Sequence, residues 1–418
     1  MPDVVVVGGG HNGLVAGCYL ARTGLDVLVL EQSSKVGGGS RTDELIPGYR
    51  FNTHSAAHNI INATDIAAEL DLAGAGLAYR EMDPFSMAVF GDGTIVRFHR
   101  SVEATVESIR EVSPVDADRY AAWMRSAMPV VKAARFGIEG GASNSRLLRA
   151  LPGRGAAAVQ ALARNGGPVG LAHLMLSPYG RVLRERLASD RVRGPVSAFA
   201  AHASASPTAP GSAMYGMWQA FYHQVGQWHA VGGSGALSDA LAHRFDSYGG
   251  RIRTEAPVTR VLREGERVTG VELEDGERVD ASVVLTAMDP RVALLDLLDP
   301  PLTGPVADGL RAAHRGNAVQ MLVLLATTAL PAYPGARRGD WNGLQSYVDT
   351  LDGLADGFAQ AEAGHLPNDP VPTYTFTPAP WTTPSPRPVT TPSTWPAPPH
   401  PPASAAAGNR TRRRSPSA

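Results

Sequence analysis

The sequence predicts an α/β protein of two interleaved domains, one built on a parallel sheet and a β-meander, the other of mixed α+β type. Three observations support this class. An apolar strand, a glycine-rich turn, a helix and a second apolar strand follow one another in residues 4–31. Three short strands joined by tight turns occur only much later, in residues 258–281. The long segment between them is mostly helical in pattern, so the first domain is discontinuous in the sequence.

The first strand is predicted from four consecutive valines, residues 4–7, which suit a strand buried on both faces of a parallel sheet. Gly8, Gly10 and Gly13 follow in the spacing Gly-x-Gly-x-x-Gly. The first glycine permits the tight turn, the second lets a pyrophosphate approach the backbone, and the third lets helix and strand pack closely. The next helix, residues 12–23, begins at this turn, and its N-terminus is therefore a favourable place for an anion.

A second apolar strand, residues 25–30, ends at Glu31. A carboxylate at this place accepts hydrogen bonds from ribose hydroxyls and repels a 2′-phosphate. Strand, turn, helix, second strand and acidic residue all occur within about thirty residues, and this order predicts a dinucleotide site. The unit alone does not distinguish FAD from NAD.

A second glycine cluster, residues 37–39, is followed by Ser40 and Arg41. Such a turn offers further backbone N–H groups to a pyrophosphate, and a guanidinium pairs with its charge. The two clusters together resemble the two-motif FAD signature of amine oxidases, protoporphyrinogen oxidases and phytoene desaturases. Residues 10–16 (GHNGLVA) and 47–51 (PGYRF) look most like the phytoene desaturase type, the phytoene dehydrogenase-related FAD-dependent oxidoreductases. In that family the arginine directly follows its glycine pair, whereas here one glycine and one serine intervene.

The resemblance implies a Rossmann-like FAD-binding domain with a β-meander in residues 1–60 and 225–290. A mixed α+β substrate domain would occupy residues 61–224 and 291–366. The resemblance also implies which residues hold FAD. Glu31 would bind the adenosine ribose, Arg41 would bind a phosphate, and the backbone at Val258 would contact the adenine. The pyrophosphate would be held by five glycines: Gly8, Gly10, Gly13, Gly38 and Gly39.

In the resembled family the segment after the second cluster passes close to the flavin ring. Here that segment is residues 51–61, so His54, Ser55 and His58 are candidates for this place. We take His58 as the candidate catalytic acid or base, because histidine transfers protons near neutral pH. The alternative is an ordinary hydrogen-bonded loop histidine. No metal site is predicted.

The resemblance implies an FAD-dependent oxidoreductase of desaturase or dehydrogenase type, which transfers a hydride between an apolar, polyene-like substrate and flavin N5. It does not separate desaturation from oxygenation or isomerisation. One alternative is a truncated or non-catalytic flavoprotein, because the family ends with a glycine-rich third cofactor segment that residues 367–418 do not contain. Another is an NAD-dependent dehydrogenase, which uses the same first turn. The aromatic stretch 214–235 suits either the wall of an apolar site or a hydrophobic core.

The composition limits the classes of partner and the cellular location that we expect for this protein. The formal net charge of the 418 residues is −1, which gives no electrostatic reason to expect nucleic acid as a partner. The single cysteine, Cys18, excludes an internal disulfide and fits a reducing compartment, so we expect a cytoplasmic protein. No apolar run has the length of a membrane span, which leaves at most peripheral membrane contact. Residues 367–418, rich in Pro, Thr and Ser, are predicted to be disordered. The oligomeric state is left open.

Overall fold

The computed structural model describes residues 1–135, 155–201, 205–313, 321–368 and 371–377, and the backbone of residues 389–392. Its α-helices are His11–Ala21, Asn59–Asn62, Ile66–Glu69, Val102–Arg110, Pro114–Ala134, residues 155–164, Gly167–Leu176, Tyr179–Arg186, Asp190–Ala201, Ala213–Gly216, Trp218–Val225, Gly235–Ser247, Pro305–Ala312 and Leu351–Glu362. A π-helix spans Val292–Leu297 and a 3₁₀ turn spans Asp340–Asn342.

The strands occur between these helices, singly or in consecutive runs. They are β1 (Val4–Val7), β2 (Val27–Leu30), β3 (Thr42–Ile46), β4 (Tyr49–Asn52), β5 (Tyr79–Glu81), β6 (Ser86–Val89), β7 (Ile95–Phe98), β8 (Trp228–Ala230), β9 (Arg251–Arg253), β10 (Val258–Glu264), β11 (Arg267–Leu273), β12 (Arg278–Asp280), β13 (Val283–Thr286), β14 (Leu298–Asp299), β15 (Leu325–Ala326), β16 (Leu344–Tyr347), β17 (Thr373–Phe376) and β18 (Val389–Pro392).

The first sheet is parallel and has the strand order β13-β1-β2-β9. Its central strand β1 is buried on both faces, as the valine run predicts. Val4 and Val6 face the core shared with helices His11–Ala21 and Gly235–Ser247, while Val5 and Val7 face the strands of the meander. The C-terminal ends of β1 and β2 lie side by side, because Val7 pairs with Leu30. The first glycine turn and Glu31 therefore start from the same edge of the sheet.

The meander forms a separate sheet of order β12-β11-β10-β14. Its strands β10, β11 and β12 are antiparallel neighbours, as their turn residues predict. The predicted α/β fold, with a parallel sheet, a meander and further mixed structure, is confirmed. The predicted domain boundaries stay a prediction.

The remaining large sheet is mixed, with the order β15-β18-β17-β16-β6-β7. One face of it packs on the helices and forms the largest apolar core, to which helix Pro114–Ala134 contributes the buried rings of Tyr120 and Trp123. Rings from the aromatic stretch belong to this core: the ring centroids of Phe199 and Tyr222 are 4.6 Å apart, and those of Phe85 and Tyr222 are 5.4 Å apart. For Phe221 and Tyr222 the structure therefore shows a hydrophobic core, one of the two alternatives.

The prediction that residues 367–418 are disordered is wrong for β17. This strand pairs antiparallel with β16, and its four residues are buried. Its Thr-Tyr-Thr-Phe sequence alternates: Tyr374 and Phe376 face the apolar core, while the Thr375 hydroxyl donates to Oε1 of Gln345 at 2.9 Å. Four β-favouring residues are enough for an inner strand, although the average composition around them is that of a disordered chain. Most of the remaining C-terminal segment lies outside the described residues.

Candidate functional site

The two glycine clusters meet in space. Gly10 and Gly37 form a parallel bridge, and the Gly37 N–H donates to the carbonyl oxygen of Gly9 at 2.8 Å. Gly8, Gly37 and Gly38 have φ angles of +103°, +124° and +55°, which favour glycine. A Cβ atom on Gly38 would lie 3.2 Å from the Cα of Gly10. The two turns thus form one surface of backbone, here called the glycine cradle (residues 8–10 and 37–40), on which Gly38 and Gly39 are exposed.

Gly13 brings the first helix directly onto the end of β1. A Cβ atom on Gly13 would lie 2.1 Å from the carbonyl oxygen of Gly8, a distance that no side chain tolerates. The N-cap residue Gly10 provides no side-chain hydrogen bond to the first helical turn. The first N–H groups of helix His11–Ala21 therefore have no capping side chain, and they add to the anion-binding character of the cradle.

Glu31 follows β2 and turns its carboxylate toward the cradle. Its Oε2 accepts the N–H of Gly9 at 2.8 Å and its Oε1 accepts the N–H of Ser33 at 2.8 Å. The residue is 8% exposed. These bonds hold the carboxylate in one orientation, and each oxygen keeps capacity for another donor. The place suits a ligand with vicinal hydroxyl groups, such as a ribose.

Val258 lies near Glu31 although the two are far apart in the sequence. The N–H of Ala256 donates to the carbonyl oxygen of Glu31 at 2.9 Å, and Val258 begins β10 two residues later. The side chain of Val258 is half-buried against the meander core. The structure thus places Val258 two residues beyond a backbone contact of Glu31. Its contact with an adenine stays a prediction.

Arg41 folds back beside the second turn. Its Nη2 lies 3.1 Å from Oδ1 of Asp43, and the Nζ of Lys35 lies 3.8 Å from the same oxygen. The Nε of Arg41 is buried and has no hydrogen-bond partner among the residues that the structure describes. Asp43 therefore holds the guanidinium next to the cradle. A contact between Arg41 and a phosphate stays a prediction.

His58 lies next to the cradle, whereas His54 is exposed and Ser55 is half-buried. The Nε2 of His58 is 3.3 Å from the hydroxyl of Ser40, and its Nδ1 is 2.9 Å from the hydroxyl of Tyr79. Burial lowers the pKa of His58 to about 4, with smaller contributions from His229 and His11. The imidazole is therefore neutral near pH 7, and both of its nitrogens already have partners.

The residues that tie strands β3 and β4, which follow the cradle, to the start of helix Gly235–Ser247 were not predicted from the sequence. The Oδ1 of Asn52 accepts the Ser234 N–H at 2.9 Å, and the hydroxyl of Thr42 accepts the Gly235 N–H at 2.9 Å. A Cβ atom on Gly233 would lie 2.4 Å from the Thr42 hydroxyl. The glycine cluster at residues 232–235 is the sequence signal for this close approach.

His229 is a second buried histidine near the cradle, and it was not predicted as a site residue. It is 1% exposed, and its Nδ1 donates to the carbonyl oxygen of Ala56 at 2.8 Å. Burial lowers the pKa of His229, so this ring is also held in its neutral form. The bond fastens β8 to the segment that precedes His58.

A surface cleft of about 390 Å³ lies elsewhere, between helices Val102–Arg110 and Pro114–Ala134, and is lined by Val106 and Met124 among others. No cradle residue lines it. Within the described ranges, no three His, Cys, Asp or Glu side chains are grouped so as to hold a metal ion. In the same part of the chain, no helix has the length and apolar character that crossing a membrane requires.

The comparison with protein families decides which dinucleotide the cradle serves. The model of the flavin containing amine oxidoreductase family matches residues 13–395. The chain belongs to this family. FAD is thus confirmed as the cofactor, and the cradle fits it, because glycine backbone replaces side chains where a pyrophosphate must approach. The predicted relation to the phytoene desaturase type is confirmed as well, because phytoene desaturases of Myxococcus xanthus and Pantoea ananas are 29% and 27% identical to this chain over 314 and 307 residues, covering 72% and 71% of this chain and 56% and 58% of the relatives.

Several curated relatives are similar in sequence to this family member. Over 320 residues it is 32% identical to the pyridine nucleotide-disulfide oxidoreductase domain-containing protein 2 of Mus musculus, covering 71% of this chain and 54% of the relative. It is 28% identical over 316 residues to the hydroxyneurosporene desaturase of Cereibacter sphaeroides, covering 71% and 58%. One of the subunits of limonene dehydrogenase from Castellaniella defragrans is 42% identical over 118 residues, covering 28% and 21%. The chain thus spans about half the length, or less, of these relatives.

Solved structures show the same fold. A protein from Pyrococcus furiosus superposes with a TM-score of 0.57 at 15% identity, covering 93% of this chain and 78% of that protein. Wild-type putrescine oxidase bound to putrescine superposes with a TM-score of 0.54 at 17% identity, covering 94% and 75%. These identities support a statement about fold only.

Proposed function

We propose that this chain is an FAD-dependent oxidoreductase of desaturase or dehydrogenase type that acts on an apolar, polyene-like substrate. The observation that carries the proposal is the meeting of two glycine turns beside the carboxylate of Glu31. When bound, the flavin supplies the hydride chemistry at its N5 atom. The protein supplies binding, orientation and a site shielded from water.

The cradle would hold the pyrophosphate through backbone N–H groups. Gly8, Gly10 and Gly13 shape the first turn and Gly38 and Gly39 the second, and the N-terminus of helix His11–Ala21 adds its dipole. Glu31 would bind the adenosine ribose, because its carboxylate is already oriented by two backbone donors. Arg41 would neutralise a phosphate, and the backbone at Val258 would contact the adenine.

The apolar substrate class is supported by the names of two relatives. One is a hydroxyneurosporene desaturase and the other is part of a limonene dehydrogenase. Both substrates named there are largely hydrocarbon, and the chemistry common to them is removal of hydrogen from carbon. Such a substrate binds by burial of apolar surface, which contributes about 25 cal/mol per Å².

The first experiment is FAD uptake by purified protein, followed by a variant of Glu31. Glu31→Gln keeps the shape of the side chain but turns an amide N–H₂ toward the Gly9 or Ser33 N–H. We expect the dissociation constant for FAD to rise about tenfold, because a charged acceptor is lost. The matched control is Glu266→Gln, which changes an exposed glutamate in the turn between β10 and β11. Its affinity should equal that of the wild type.

The second experiment is anaerobic mixing of the FAD-loaded protein with polyene hydrocarbons. Bleaching of the yellow flavin by such a compound is the expected result. Protein that binds FAD but is bleached by no candidate substrate would instead be a non-catalytic flavoprotein. Protein that takes up no FAD at all would contradict the proposal.

A further inference from the structure

Three polar side chains lie in a row beneath the second glycine turn. Ser40 is 3% exposed and His58 is 6% exposed, while Tyr79 is half-buried. The imidazole of His58 stands between the two hydroxyl groups, 3.3 Å from Ser40 and 2.9 Å from Tyr79. The row thus connects the cradle to β5, which pairs with β8.

The backbone of His58 is fixed independently of its ring. Its N–H donates to the carbonyl oxygen of Trp228 at 2.8 Å, and its own carbonyl oxygen accepts Nδ2 of Asn62 at 2.6 Å. These two hydrogen bonds fix the backbone position of His58, and thereby the place of the ring that contacts Ser40. Little conformational freedom remains for the imidazole to move toward a substrate.

Ser40 is the residue through which the second turn can be held. It follows three glycines, so within residues 37–40 it has the only side chain. Its N–H donates to the carbonyl oxygen of Gly37 at 2.9 Å, which closes the turn, and its carbonyl oxygen accepts the Ser238 hydroxyl at 2.8 Å. A turn of glycines loses much conformational entropy when it becomes ordered. A bond that restrains it beforehand therefore improves ligand affinity.

The hydrogen-bonding capacity of the imidazole is complete. A neutral ring donates from one nitrogen and accepts at the other, and each hydroxyl partner can take either role. Both nitrogens are therefore satisfied in either tautomer, and none is left to take a proton from a substrate carbon. This arrangement is typical of a side chain that positions its neighbours.

We propose that His58 is a positioning residue: it holds the Ser40 hydroxyl, and through it the second glycine turn, in the conformation that grips the FAD pyrophosphate. This inference rests on the proposed function, because it assigns a role toward the same cofactor. It replaces the predicted acid or base role of His58 with one in cofactor affinity.

Two substitutions of His58 separate its two hydrogen bonds. The amide of Gln extends as far as Nε2, so His58→Gln keeps a partner for Ser40 and loses the one for Tyr79. The amide of Asn extends only as far as Nδ1, so His58→Asn keeps Tyr79 and loses Ser40. Ser40→Ala removes the hydroxyl itself, and Tyr79→Phe removes the opposite partner. Both serve as matched single-atom controls.

The test measures the FAD dissociation constant and the melting temperature of the FAD-free protein for wild type and the four variants. We expect Ser40→Ala and His58→Asn to weaken FAD binding about tenfold. His58→Gln and Tyr79→Phe should stay within about threefold of the wild type. The two His58 variants should melt at similar temperatures without FAD, because each loses one buried hydrogen bond. A general structural role would not divide them by FAD affinity.

Three results would overturn the inference. In the first, Ser40→Ala and His58→Asn bind FAD as tightly as the wild type. In the second, all four variants lose affinity and melting temperature in parallel, which indicates general structural support. In the third, His58→Gln binds FAD normally but its flavin is no longer bleached by substrate, which indicates a catalytic role. Wild-type protein that takes up no FAD would refute the proposed function itself, and this inference with it.

Discussion

Two regions of the molecule are held together by different means: the cradle with the parallel sheet, here called the nucleotide side, and the mixed sheet with the helices packed on it, here called the helical side. Around the cradle, backbone meets backbone: Gly10 bridges to Gly37, and the helix carrying Gly13 touches the end of β1. On the helical side, aromatic rings pack against one another, as Phe199 and Tyr222 do at 4.6 Å between ring centroids. The first region depends on the absence of side chains, and the second depends on their presence.

This difference predicts how each region responds to substitution. A close backbone contact such as that of Gly13 with Gly8 has no spare volume, so an added methyl group is costly there and also damages the ligand site. An aromatic core tolerates changes of shape better than the loss of a buried polar partner. At the close glycine contacts, stability and FAD affinity should therefore change together, whereas on the helical side stability should change without FAD affinity.

The largest effect is expected on the helical side, at a buried ion pair. Arg97 and Asp340 are 6% and 2% exposed, and two hydrogen bonds of 2.7 and 2.8 Å join them. Asp340→Asn should lower the free energy of unfolding by about 3–5 kcal/mol, because it leaves a buried guanidinium without its counter-charge. Urea denaturation measures this change, and titration with FAD should show unchanged affinity.

The control is an ion pair on the solvent-exposed surface of the same protein. Arg110 and Asp118 are 3.4 Å apart, with 41% and 79% of their side chains exposed. Asp118→Asn should cost less than about 1 kcal/mol. Equal losses from Asp340→Asn and Asp118→Asn, or a loss of FAD affinity in Asp340→Asn, would contradict the separation of the two regions.

The next effect is a loss of stability in acid. Burial lowers the pKa of His223 from 6.5 to about 4, and its Nδ1 donates to the carbonyl oxygen of Arg100 at 3.0 Å. Between these values the unfolded chain binds a proton that the folded chain does not bind. The contribution of the neutral His223 ring to the free energy of unfolding is therefore fully present above pH 6.5. It falls by about 1.4 kcal/mol per pH unit as the pH decreases toward 4, and by roughly 3 kcal/mol in all.

In the variant His223→Gln the side chain at this position does not bind a proton in either the folded or the unfolded state. Between pH 6.5 and pH 4 the free energy of unfolding should fall less steeply with decreasing pH in this variant than in the wild type. The slope should differ by about 1.4 kcal/mol per pH unit, because about one proton fewer is taken up on unfolding. His58→Gln should have the same effect on the nucleotide side, because the pKa of His58 is also lowered to about 4. Parallel pH profiles for wild type and both variants would show that neither ring is buried in its neutral form.

A smaller change in stability, coupled to the cofactor, is expected at Gly13. Its added Cβ would lie 2.1 Å from the Gly8 carbonyl oxygen, so Gly13→Ala should cost about 2 kcal/mol or more and weaken FAD binding more than tenfold. The control is Gly309→Ala in helix Pro305–Ala312, where nothing lies within 4 Å of the added atom. That change should stabilise the protein by about 0.5–1 kcal/mol. Denaturation curves of the FAD-free proteins measure both, and a Gly13→Ala variant that binds FAD normally would contradict the role of the close approach.

The sequence predicted the parts of the fold whose causes are local. Gly8, Gly13 and Glu31 lie within one continuous unit, and their spacing alone indicated their places. The partners of His58 did not follow from spacing, because Tyr79 reaches it only through the pairing of β5 with β8, about 150 residues later. Strand β17 was missed for a related reason: its residues become a strand through pairing with β16, which a local composition does not record.

The parallel sheet also constrains how the protein is made. Strand β2 finds its outer neighbour in residues 251–253, and β1 finds its second neighbour in residues 283–286. At ribosomal speeds of about 5–20 residues per second, roughly ten seconds to a minute pass between synthesis of the first two strands and arrival of these neighbours. During that interval the outer edges of β1 and β2 lack their native neighbours, and unpaired edges of this kind are prone to pair with other chains.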